Sequence, residues 1–186
     1  MRVKEFSEEV FYATDQIVKV GHDDLEFLKL KAERTPRGRV RVCTHRDLDD
    51  KLHEMIVVLR QDAYLRPEKH LVKVESYHII EGSVDVVIFD EVGNIFEVVQ
   101  MGEHSSGRRF YYRLSDPLYH TLLIKSERLV YHEAATGPFK KSDAVFAAWA
   151  PEETDGEAKK EFLDQLVRKV EDFLSTPDNG GDSNQR

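Results

Sequence analysis

The chain has 186 residues with 35 acidic and 27 basic side chains, a formal charge of −8, 40% hydrophobic and 33% charged residues, which suits one substantial folded domain with appendages and is short for two. The acidic total argues against nucleic acid as a partner, because counterion release needs clustered cations. No apolar run approaches the roughly 18 residues of a membrane span, and the start MRVKEFSEEVFYATD lacks the apolar stretch of a secretory signal, so no membrane partner and a cytoplasmic location are expected. The single cysteine, Cys43, excludes a disulfide scaffold and a thiolate zinc site, and leaves any metal to histidines and carboxylates.

Residues 1–36 read as an N-terminal arm and helix. Leu25, Leu28 and Ala32 fall three and four apart between Asp23 and Thr35, with Asp23 and Asp24 where acidic groups suit a helix N-terminus and Pro36 and Gly38 as stops. Residues 37–151 change to period two. Eight runs rich in Val, Ile, Tyr and Phe follow one another: GRVRVCT, HEMIVVLR, VESYHII, VDVVIFD, NIFEVVQ, RFYYRL, YHTLLIK and ERLVYHE. Turn residues at Glu81-Gly82, Val92-Gly93-Asn94, Ser106-Gly107 and Ser115-Asp116-Pro117 separate them, with no long helix between. Such spacing predicts an all-β antiparallel sandwich or jelly roll.

After the strands, AVFAAWAP is expected to lay Phe146 and Trp149 on the barrel as a clasp. An amphipathic helix is predicted over 157–174, with Phe162, Leu166, Val170 and Phe173 on one face. That face either docks on the barrel or meets a second copy. The segment 175–186 has no core formers and reads as a disordered tail.

The chemistry concentrates in PEKHLVKVESYHIIEG, residues 67–82. Glu68 and His70 are two apart and share a strand face; Glu75 follows a short bend in phase with Tyr77 and Ile79. In LSDPLYHTLLIK, His120 is in phase with Leu122 and Ile124, again an inward parity. Imidazoles and carboxylates on the inner wall of a barrel are costly unless paired or coordinated. Two His with one or two carboxylates suit a divalent metal ion: iron, manganese, nickel or zinc. Satisfied core histidines, and Glu75 as the partner of nearby arginines, are the plainer alternatives. His78 has the parity of a sheet-face residue; His53, in phase with Met55 and Val57, has the parity to reach the pocket.

The stretch from Glu68 to Gly82 resembles the first cupin motif, a His-x-His pair followed by Glu and then Gly, and the stretch from Asp116 to His120 resembles the second, which supplies the remaining His. The stations RGRVRVCTHRD, LHEMIVVL, ESYHIIEG, VVIFDEVG, YYRLSDPLYHTLL, HEAATGPF and WAP are similar to those of the WbuC-type cupin-fold metalloproteins, often found with genes for surface polysaccharide assembly. This resemblance spans roughly Phe11 to Pro151. It implies a cupin double-stranded β-helix with one divalent metal ion held by Glu68, His70, Glu75 and His120, with Glu68 standing where the family pattern has its first His. It is silent on the reaction, since one scaffold hosts isomerases, epimerases, dioxygenases and plain binding proteins.

Residues 29–46 carry 7 basic side chains and 1 acidic one. Within them Arg37, Arg39, Arg41, Cys43 and His45 share one strand parity. Guanidinium groups beside an imidazole suit recognition of a carboxylate or phosphate; an edge strand using cations against edge pairing is the alternative. The expected ligand is small and anionic, held by Arg39, Arg41 and His45, with Tyr77 and Arg113 as further lining. Two functions fit: a metal-dependent enzyme acting on an anionic, carbohydrate-like substrate, or a non-catalytic metal or metabolite binding or sensing module. A homodimer paired through edge strands is plausible for such a barrel.

Overall fold

The computed structural model describes residues 1–176. Most of the tail expected at 175–186 therefore lies outside the described residues. In chain order the elements are β1 (Val3–Ser7), β2 (Val10–Ala13), α1 (His22–Arg34), β3 (Arg39–Cys43), β4 (Leu52–Arg60), β5 (Glu68–His70), β6 (Glu75–Glu81), β7 (Ser83–Phe89), β8 (Ile95–Gly102), β9 (Tyr111–Leu114), β10 (Tyr119–Ile124), β11 (Arg128–Thr136), β12 (Ala144–Phe146) and α2 (Gly156–Ser175).

Two sheets face each other. One has seven strands in the order β1-β2-β3-β4-β11-β6-β9 and the other five in the order β12-β5-β10-β7-β8. Every pairing is antiparallel except β2 with β3. All eight period-two runs become strands. Inside the barrel, alternate residues such as Leu59, Ile79, Val86, Ile88, Leu122 and Leu129 form one core.

The outer faces are covered too. On the seven-stranded sheet, Leu25, Leu28 and Ala32 of α1 pack against Val40, Val42, Val58 and Val130. On the five-stranded sheet, Leu166 and Val170 of α2 pack against Val87, Phe89 and Leu123. Double coverage explains why β10 is buried along its whole length, where a strand with one wet face would alternate. Trp149 anchors the clasp, with its ring 5.0 Å from Phe89 and 6.3 Å from Phe162. Phe146 does not lie on the barrel as expected; it is half-exposed at the cavity rim on β12, with the Arg66 guanidinium over its ring.

The N-terminal arm is more ordered than its sequence suggests. β1 and β2 form a hairpin, and β2 extends the sheet by pairing with β3. VKEFS on the edge strand is exposed at every position but Val3, which leaves little apolar pattern to read. Between β6 and β7, Gly82 has φ +86°, and a Cβ there would stand 2.3 Å from the Arg128 carbonyl oxygen, so the tight turn that returns the chain behind the site admits only glycine.

The apolar face of α2 is thus satisfied within the chain. Leu166→Ala is expected to cost about 2 to 5 kcal/mol, read as a lowered denaturant midpoint that does not depend on protein concentration. A concentration-dependent midpoint would instead assign that face to a second copy.

Candidate metal centre

The site forms where the two sheets converge. Glu68 and His70 come from β5, His120 from the neighbouring β10, and Glu75 and Tyr77 from β6 in the facing sheet. In the β5–β10 ladder Glu68 is the register partner of His120, which puts both on one face, as parity requires.

Glu75 is the hub. Only 2% exposed, its carboxylate bridges both imidazoles: Oε1 is 2.7 Å from His120 Nε2, and Oε2 is 3.2 Å from His70 Nε2. The Lys73 ammonium lies 3.0 Å from Oε2 and 3.2 Å from Glu133 Oε1, and the Tyr77 hydroxyl donates to Oε1 at 2.9 Å. Burial pushes the Glu75 carboxyl up, but the hydrogen bonds from His120 and His70 and the charge of Lys73 outweigh it and hold the group well below the usual carboxylate range. Burial likewise pushes Lys73 down, and Glu133 and Glu75 together hold it above its ordinary value.

The donors suit a cation. His120 Nδ1 lies 3.1 Å from the Leu118 carbonyl oxygen, which orients the ring with Nε2 towards Glu75, 2.7 Å away, where a metal ion would take the place of the shared proton. One ligand atom from each of His70, Glu75 and His120 lies within 4.8 Å of the others. Glu68 stands just outside that group, with Oε1 3.9 Å from His70 Nε2, and burial pushes its carboxyl up, towards the neutral form. Glu68, Glu75 and Glu133 are three carboxyl groups against the one ammonium of Lys73. A divalent cation would offset that excess and keep Glu68 ionised. His70, Glu75 and His120 can hold a metal ion and leave positions open for water or ligand.

The centre opens into a cavity of about 740 Å³ between the sheets. The arginine strand lines it as its parity predicts, but its members differ. Arg37 and Arg39 are matched by carboxylates: Arg37 pairs with Glu9, Arg39 Nε lies 3.3 Å from Glu9, and Glu153 reaches both at 2.8 and 3.0 Å. Among the described residues no carboxylate pairs with Arg41, which is exposed and lines the cavity. His45 is buried on the same wall, and Tyr77 lines the metal end. Arg113 is the exception. Its neighbours Tyr112 and Leu114 point inward, so alternation on β9 turns Arg113 out of the cavity, exposed, with its Nε 3.3 Å from the Ser115 hydroxyl.

Four participants, Glu9, Lys73, Glu133 and Glu153, were missed by the sequence reading. Glu133 was legible, since it shares parity with Tyr131 and Ala135 on β11. Lys73 sits in the bend between β5 and β6, where no periodicity applies. Glu153, 114 residues from Arg39 along the chain, carries no local signal.

A family model described as a domain of unknown function (DUF6016) matches residues 20–101. No curated protein matches by sequence. Among solved structures, protein SO0799 from Shewanella oneidensis superposes with a TM-score of 0.54 at 12% identity, over 78% of this chain and 94% of that one. L-ribose isomerase from Cellulomonas parahominis gives 0.49 at 12% identity, over 62% and 72%. Oxalate decarboxylase from Bacillus subtilis gives 0.43 at 20% identity, over 69% of this chain and only 31% of that one. The architecture is the cupin jelly roll. No helix among the described residues is long and apolar enough to cross a membrane.

Lys73 is expected to be worth most when nothing else neutralises its neighbours. Lys73→Met leaves Glu75 and Glu133 without their cation, so metal-free protein should lose about 3 kcal/mol of stability by urea titration. Addition of a divalent ion should restore part of that loss; equal stability of variant and parent would show that the ammonium is not needed.

Proposed function

We propose that this chain is a WbuC-type, metal-dependent cupin that acts on a small anionic, carbohydrate-like substrate, in keeping with a role in surface polysaccharide metabolism. The observation that carries the reading is the buried His70/Glu75/His120 donor set beside a cavity that is also lined by Arg41, which has no carboxylate partner among the described residues. Glu68 serves as the fourth ligand, in place of the first His of the cupin pattern. Its carboxylate makes the set harder and more anionic, which suits manganese or iron.

A metal bound there supplies Lewis-acid polarisation of a substrate oxygen or activation of water or dioxygen. The chain's own residues do the rest. Glu75 orients both imidazoles, Tyr77 and Lys73 hold Glu75, and Arg41 receives the acidic group of the substrate. The alternative is a non-catalytic binding or sensing module, in which the same cavity captures a metal or metabolite without turnover.

Metal analysis of protein purified without added metal tests the reading directly, with about one ion per chain expected from a preformed site. Less than about a tenth, with no thermal shift on adding divalent ions, would sink it. His120→Ala should remove most of the metal. Glu68→Gln should weaken binding by about tenfold or more, and unchanged affinity would exclude Glu68 as a ligand. Arg41→Ala should weaken binding of sugar acids and nucleotide sugars; equal binding by parent and variant would return the arginine strand to an edge role.

A further inference from the structure

The mouth of the cavity carries apolar side chains that the metal centre does not use. Leu48, Val72, Phe139 and Phe146 all line the cavity and are all exposed, Phe146 at 51%. A single exposed apolar residue is ordinary. Four around the mouth of a cavity with charged walls offer apolar surface to whatever enters it.

Sheet register fixes where Phe146 stands. On β12 it is the partner of Glu68 on β5, and Glu68 is in turn the partner of His120 on β10. Directly opposed residues project from the same face, so a phenyl ring, a carboxylate and an imidazole form one row across the inner side of the five-stranded sheet. Alternation along β12 agrees: Ala144 and Phe146 line the cavity, while Val145 between them packs outward with the residues that α2 covers. The backbone of Phe146 is therefore one strand spacing, roughly 5 Å, from that of Glu68.

Arg66 braces the ring. Its guanidinium carbon lies 5.4 Å from the Phe146 centroid, a distance that suits a cation over an aromatic face. The donors of Arg66 are engaged elsewhere: Nη1 is 2.6 Å from Glu152, and Nη2 donates to the Ala147 carbonyl oxygen at 3.0 Å. Arg66 is thus held by its own partners and acts through the ring, against which it rests while half of Phe146 stays open. An aromatic side chain held in this way loses little freedom when a ligand covers it.

A flat apolar surface beside oxygen and nitrogen donors suits a ligand with the same division. A pyranose has it, with C–H bonds on its face and hydroxyls on its edge, so the face can cover Phe146 while the edge turns towards Glu68 and the metal centre. An open-chain sugar acid has no such face, and a simple aromatic acid has no hydroxyl edge. We propose that Phe146 is the stacking platform for the pyranose ring of the substrate, with Arg66 as the positioning residue behind it, so that the site selects closed-ring sugar acids over open-chain ones of equal charge. The inference rests on the metal-dependent, carbohydrate-like reading and adds to it the form of the sugar.

The test is calorimetry on manganese-loaded protein, with metal content measured separately, and two ligands of equal charge: methyl glucuronoside, whose ring is locked closed, and gluconate, which is open-chain. The parent should bind the ring form at least about tenfold more tightly. Phe146→Leu keeps an apolar side chain and removes the flat ring; it should bring the two affinities within about twofold of each other, with gluconate affinity and metal content unchanged. Phe146→Trp should keep the preference. Arg66→Met leaves the ring unbraced and should lower the ratio of the two affinities, which a merely structural role would leave as it is; an unchanged ratio overturns the brace. Equal affinities in the manganese-loaded parent, binding of neither acid, or a preference that survives Phe146→Leu overturns the platform alone. A parent that takes up no manganese overturns the metal reading and this one with it.

Discussion

One buried carboxylate sets the terms for the rest of this molecule. Glu75 belongs to the seven-stranded sheet, while His70 and His120, which contact it, belong to the five-stranded sheet. Removing a carboxylate from water costs several kcal/mol, so the group is tolerated only while its partners stay in place. The contact therefore acts as a polar tie between two sheets that are otherwise held by apolar packing. It also fixes the distance between the sheets at the open end of the barrel, and so the shape of the cavity.

The charge of the chain reads differently once its pairs are located. A compact cationic segment inside an acidic chain suggests a row of anion-binding groups, yet the fold spends two of its arginines internally. Glu9 and Glu153 neutralise Arg37 and Arg39 and tie the segment before α2 to the mouth of the barrel. Arg41 is left facing the cavity. Among the described residues, Arg41 is thus the arginine of that strand that lines the cavity without a carboxylate partner.

Much of the architecture was legible because period-two patterning is a local property. The runs from GRVRVCT to ERLVYHE alternate strongly enough to name eight strands, and Leu25, Leu28 and Ala32 name the buried stripe of α1. The hairpin at residues 3–13 is not legible in this way, because its edge strand β1 is exposed on both faces, Phe6 included, and so has no buried alternation to show. Arg113 was misplaced for a related reason: only the burial of Tyr112 and Leu114 reveals which parity of β9 faces inward.

The sequence by itself determined the strand content, the exclusion of a disulfide scaffold and of a thiolate zinc site, and the candidates Glu68, His70, Glu75 and His120, because residue type and parity are written along the chain. The tertiary structure alone decided which sheet each donor comes from, that Lys73 and Glu133 join the cluster, that Glu153 claims Arg39, and that Phe146 falls beside Glu68. Those facts depend on register and on the docking of one sheet against the other. Both are settled by apolar packing between segments far apart in the chain, which no local pattern encodes.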